Sequence, residues 1–133
     1  MPRFVLALAF VLSGCVAGAH STQESQPTGT WAGLASQFDS GEVRGTPDSQ
    51  WTVEVTIGET ASVAYPSLGC SGTLVYEGQA RSGAAVYTET ITRGQDRCVT
   101  SGTVELLRDG DRLHYSARHE SQPSVSVGLL TRL

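Results

Sequence analysis

Apolar and polar side chains alternate with a period of two along most of the chain. The clearest stretch is 51–57, where Trp51, Val53, Val55 and Ile57 fall on one face and Thr52, Glu54 and Thr56 on the other. A strand with one dry and one wet face accounts for that spacing. Gly58, Glu59 and Thr60 suit a turn into a short run at 61–65. Pro66, which lacks a backbone donor, and Gly69 then interrupt the ladder before a run at 72–76 and a turn at 78–83. The second half repeats the pattern: 84–92 alternates, Arg93, Gly94, Gln95 and Asp96 make a turn, and 103–107 is extended again. Asp109-Gly110, set between Leu106-Leu107 and Leu113-His114-Tyr115, predicts a hairpin closed by a type I′ turn with positive φ at both residues. With an opening strand at 30–38 and a closing one at 124–133, the pattern predicts about eight strands and nothing of helical period.

About eight short antiparallel strands in roughly 100 residues must hide their edges. The expected fold is all-β, a small antiparallel barrel or barrel-like sandwich. Side chains close an interior of this size, so the face of Trp51, Val53, Val55 and Ile57 is expected to be packed, with no cavity behind it. Gly29-Thr30-Trp31 resembles the G-x-W start of lipocalin and avidin type barrels. That resemblance implies that an Arg late in the last strand, Arg132 here, packs over the Trp. A second, longer resemblance covers Tyr65 through Leu74, Glu89-Thr90-Ile91, and Gly94 through Cys98 to Gly102-Thr103-Val104. These residues are similar to a cysteine-paired β module of exported bacterial proteins, to which no activity is assigned.

The N-terminus has a different composition. Met1-Pro2-Arg3 is a short positive region, and 4–12 is an apolar run too short to cross a membrane, the pattern of a signal peptide. Leu12-Ser13-Gly14-Cys15 resembles the lipobox of bacterial lipoproteins, which implies lipidation of Cys15 and attachment to a membrane through the lipid. Ala17-Gly18-Ala19 offers ordinary signal peptidase a second site, with release before His20. Both routes export the protein. The chain therefore divides into a signal peptide at 1–14, a lipidated N-terminus and flexible tether at 15–28, and one β domain at 29–133. Val16 follows Cys15 where many inner-membrane lipoproteins have Asp, so the outer membrane, facing the periplasm, is the expected location.

With Cys15 assigned to processing, Cys70 and Cys98 remain as an even pair in an oxidising compartment and are expected to form a disulfide. Such a crosslink contributes about 3 to 4 kcal/mol on the chain-entropy model. The 9 basic and 13 acidic residues become 8 and 13 once the leader removes Arg3, a formal charge of −5. That balance excludes nucleic acid, whose phosphates need a basic face.

Candidate chemistry is sparse. There is no G-x-S-x-G elbow and no metal-ligand spacing, so neither catalysis, a metal nor a cofactor is expected. His114 and His119 read as surface or rim residues, and Glu54, Glu89 and Glu105 as members of solvated sheet faces. Two binding functions remain. The first is an envelope lipoprotein that binds an envelope or secreted protein, for instance as an inhibitor or immunity factor against a secreted hydrolase. Its reach would come from the polar, Gly-rich connection at 39–48, with Asp39, Glu42, Arg44 and Asp48 as candidate contacts. Lysozyme-inhibitor barrels of one group use a loop Lys, and this chain contains no Lys. The alternative is a carrier of a small apolar ligand, of the lipocalin type, built on Trp31, Trp51, Tyr65, Tyr76, Tyr87 and Tyr115.

Overall fold

The computed structural model describes residues 26–133; the leader, the lipobox and Cys15 lie outside the described residues. Eight strands run in chain order: β1 Gly29–Phe38, β2 Ser49–Ile57, β3 Ala61–Tyr65, β4 Cys70–Gln79, β5 Ala85–Arg93, β6 Ser101–Asp109, β7 Arg112–Arg118 and β8 Val125–Arg132. Each pairs antiparallel with the next, and β8 returns to β1, closing a barrel with no free edge. Among the described residues the one helical element is a 3₁₀ turn, Pro66–Leu68, capped by Gly69 at φ 69°.

The period-two pattern sets the inside of this barrel. Val53, Val55 and Ile57 are buried, as are Val104 and Leu106 on β6 and Leu113, Tyr115 and Ala117 on β7. Gly72 on β4 has to be glycine, because a Cβ there would stand 2.0 Å from the Thr90 carbonyl oxygen on β5. The β6–β7 hairpin differs from the expected turn by one residue. Asp109 pairs with Arg112, so the loop is Gly110-Asp111, and only Gly110, at φ 62°, has positive φ. Glycine alone at the first central position is the type II′ pattern, not type I′.

The two ends of the barrel carry different connections. Three short turns, at 58–60, 80–84 and 110–111, lie at the end where β1 begins and β8 finishes. There Trp31 is fully buried, its indole N–H donates to the Pro27 carbonyl at 3.2 Å, and Arg132 lies 4.5 Å over its ring, the packing implied by the G-x-W resemblance. Arg108 approaches the same ring at 5.7 Å. The opposite end carries the 66–69 turn and the longer connections at 39–48, 94–100 and 119–124. Cys70 and Cys98 are disulfide-bonded there, tying the start of β4 to the β5–β6 connection.

Candidate functional site

At this second, open end the barrel is hollow. A cavity of about 300 Å³ enters between the long connections. Trp51, Tyr65, Ile91 and Tyr115 supply its apolar surface, Glu89 lies in its floor, and Arg97, Cys98, Val99, His119 and Gln122 stand on the side of the β5–β6 and β7–β8 connections. The expectation of an interior filled throughout is thus corrected: Val53, Val55 and Ile57 are packed, while Trp51, one pleat nearer the mouth, is only partly buried and faces the cavity.

Glu89 is the central side chain. Only 1% of it is exposed, which overturns its reading as part of a solvated sheet face. The reason is its parity on β5, where it is in phase with the buried Ala85, Tyr87 and Ile91. Glu54 and Glu105, out of phase with their buried neighbours, do lie on the outside of β2 and β6. The hydroxyl of Tyr65, the last residue of β3, donates to Glu89 Oε2, and the Tyr115 hydroxyl from β7 is 2.8 Å from that of Tyr65. Three strands distant in sequence thereby place a carboxyl and two phenols in one buried chain of hydrogen bonds.

Burial pushes the Glu89 carboxyl above the ordinary carboxylate range, against the opposing pull of the Tyr65 hydrogen bond and of His119. Burial likewise raises the Tyr65 phenol well above its ordinary value, with further upward contributions from Tyr115 and Glu89. Tyr115 is also raised, chiefly by burial. Both phenols therefore stay protonated and act as hydrogen-bond groups across the neutral range.

His119 reaches the cavity because β6 makes room for it. Gly102 pairs with Glu89, and a Cβ on it would fall 2.4 Å from His119 Nδ1. His119 Nδ1 is instead 2.8 Å from the Ser101 carbonyl oxygen. Arg97 gives its Nε–H and Nη2–H to the Leu68 and Gly69 carbonyls, at 3.2 and 3.0 Å, so its guanidinium clamps the wall of the mouth. Trp51 contrasts with this. Its indole nitrogen is buried and has no hydrogen-bond partner among the described residues.

The four residues expected on the 39–48 connection are also at the open end, outside the cavity lining. Asp48 Oδ2 accepts from the Asp39 backbone N–H at 2.8 Å, pinning the base of the loop. Glu42 and Arg44 form an exposed ion pair at 3.6 Å. Asp39 and Asp48 thus shape the loop, while Glu42 and Arg44 present charge to solvent. Of the six aromatics expected around a ligand, Trp51, Tyr65 and Tyr115 line the cavity. Trp31 plugs the other end, and Tyr87 packs against Tyr76 and donates its hydroxyl to Gln26. Sequence reasoning missed the grouping of Glu89 with Tyr65 and Tyr115, and the parity of β5 was the available signal. In comparisons with known proteins, no family model matches the chain, and no curated protein or solved structure does so either.

Proposed function

We propose that the chain is an exported small-molecule-binding barrel, held at the cell envelope by a lipid on Cys15, whose open end takes one ligand with an apolar body and a polar head. The observation that carries this reading is the cavity of about 300 Å³ with aromatic walls and a buried, hydrogen-bonded carboxyl at its floor. A concave apolar site with a few converging polar groups is the ordinary form of a small-ligand site. The polar floor revises the apolar-carrier expectation: the ligand needs a hydrogen-bonding group as well as a hydrophobic one. The unpartnered Trp51 N–H supports the same reading, since a buried donor without an acceptor is costly until something supplies one.

Fluorescence titration of residues 26–133 with N-phenyl-1-naphthylamine tests it. Saturable binding of one probe per chain is expected, and Val99→Trp, which fills the mouth from an irregular connection, should abolish it. Absence of saturable binding by the folded domain, or binding indifferent to Val99→Trp, would overturn the proposal.

A second reading, recognition of an envelope or secreted protein, is favoured by the exposed Val43 beside the Glu42–Arg44 pair at the same end. A stoichiometric complex with an envelope protein, broken by the joint change Glu42→Ala and Arg44→Ala and not by Val99→Trp, would place recognition on the loop instead of in the cavity.

A further inference from the structure

Resting on that ligand-binding reading, we propose that the cavity selects a ligand with a protonated amine, which pairs with the Glu89 carboxylate while its apolar part lies against Trp51 and Ile91. The steps follow from the donors and acceptors at the floor. Tyr65 donates to Glu89, so its oxygen is left to accept from Tyr115. Both phenolic protons are then directed along the chain towards the carboxyl, and neither remains for a ligand. The floor presents oxygen acceptors, and it asks for a donor.

Charge decides which donor. Glu89 is the only acidic side chain lining the cavity, and no ion pair joins it to a cationic side chain among the described residues. Of the two basic residues in the lining, Arg97 is committed to the Leu68 and Gly69 carbonyls and His119 is held by Ser101. A buried carboxylate with no ion-pair partner in contact is unfavourable even with His119 nearby, and an entering ammonium removes that cost where a neutral hydroxyl does not. The aromatic side chains of Trp51, Tyr65 and Tyr115 line the same cavity. An anionic ligand would meet like charge at the floor. The buried Trp51 N–H has no acceptor among the described residues.

Binding is therefore linked to protons. In the empty site Glu89 holds its proton to higher pH than an ordinary carboxyl, so the ammonium enters as that proton passes to solvent. Tyr65, Tyr115, His119 and Arg97 are the other titratable groups of the cavity. The phenols stay neutral throughout. Amine affinity should rise with pH until the amine itself deprotonates.

Titration calorimetry on residues 26–133 with 2-phenylethylamine, 2-phenylethanol and 3-phenylpropionate tests the proposal with probes of one size. At pH 8 the amine should bind about tenfold or more tightly than the alcohol, and the acid most weakly. Glu89→Gln should reduce the amine's advantage to within about twofold while the alcohol still binds. If that variant fails to fold, the wild-type domain still decides, because the ratio of amine to alcohol affinity should climb from pH 5 to pH 8. Equal affinity of amine and alcohol across that range, an amine preference surviving Glu89→Gln, or preference for the acid would overturn the cation assignment and leave the ligand site standing. Failure of all three probes together with N-phenyl-1-naphthylamine would remove the ligand site itself.

Discussion

The chain has two tryptophans, one at each end of the barrel, and their surroundings are opposite. Trp31 is wholly buried, its N–H is accepted by Pro27, and the guanidinium of Arg132 lies over its face. Trp51 is partly buried, and its N–H has no acceptor among the described residues. Around Trp31 the connections are short and the interior is filled. Around Trp51 they are long, and a carboxyl sits where a filled barrel would carry a hydrocarbon. One end is organised for stability, and the other leaves interactions unmade. Sites that bind are commonly held away from the stability optimum in this way.

The contrast is sharpest in paired substitutions. Trp31→Ala should cost about 3 to 5 kcal/mol in urea unfolding, the range for truncating a buried aromatic into a space that cannot collapse. Trp51→Ala should cost about 1 kcal/mol or less, because it removes a partly exposed ring and with it an unpaired donor. It should nevertheless weaken N-phenyl-1-naphthylamine binding. Comparable losses of stability in the two variants would erase the distinction.

Next in size is the crosslink of the open end. Replacing Cys70 and Cys98 together by Ser should lower stability by about 3 to 4 kcal/mol on the chain-entropy model and widen the mouth that Cys98 lines. Calorimetric unfolding of the oxidised and substituted domains measures the first effect.

The third prediction concerns pH. Glu89 has its folded-state pKa raised, so its contribution to stability is fully present below its unfolded value and is lost as pH rises through the folded value. The wild-type domain should therefore lose stability relative to Glu89→Gln on going from pH 4 to pH 8, by about 1.4 kcal/mol for each unit by which the pKa is raised. A difference that stays constant, or that grows in favour of the wild type, would show that Glu89 is not buried as an acid. The smallest expected effect is at the sealed end: Arg132→Ala should cost about 1 kcal/mol through lost packing over Trp31.

Much of the architecture was legible from the alternation of side chains. A barrel or barrel-like sandwich follows from the number of strands and the need to hide edges, the pairing of β1 with β8 makes it a barrel, and the Cys70–Cys98 bridge joins the two cysteines of the β domain. The site was less legible, because a period-two pattern assigns a face only when the polar residue is trusted to obey it. Glu89 occurs in the sequence Tyr87-Thr88-Glu89-Thr90-Ile91, where three polar residues in a row blur the parity set by Tyr87 and Ile91. Its burial depends on Tyr65 and Tyr115, which are 24 and 50 residues apart from their partners in the hydrogen-bond chain, a relation no local pattern contains. Trp51 lies on the face that its parity predicts, but how far that face is filled depends on how the long connections fold over it. The hairpin at Gly110 was displaced by one residue for a similar reason. Register is fixed by pairing along the whole of β6 and β7, not by the turn dipeptide alone.

The two indole N–H groups give the most direct test of the division between the ends, since each reports one end of the barrel. In a ¹⁵N-labelled domain, titration with 2-phenylethylamine should shift the Trp51 indole resonance and leave that of Trp31 in place. Shifts at Trp31, or a Trp51 resonance unmoved by a probe that binds, would contradict the account.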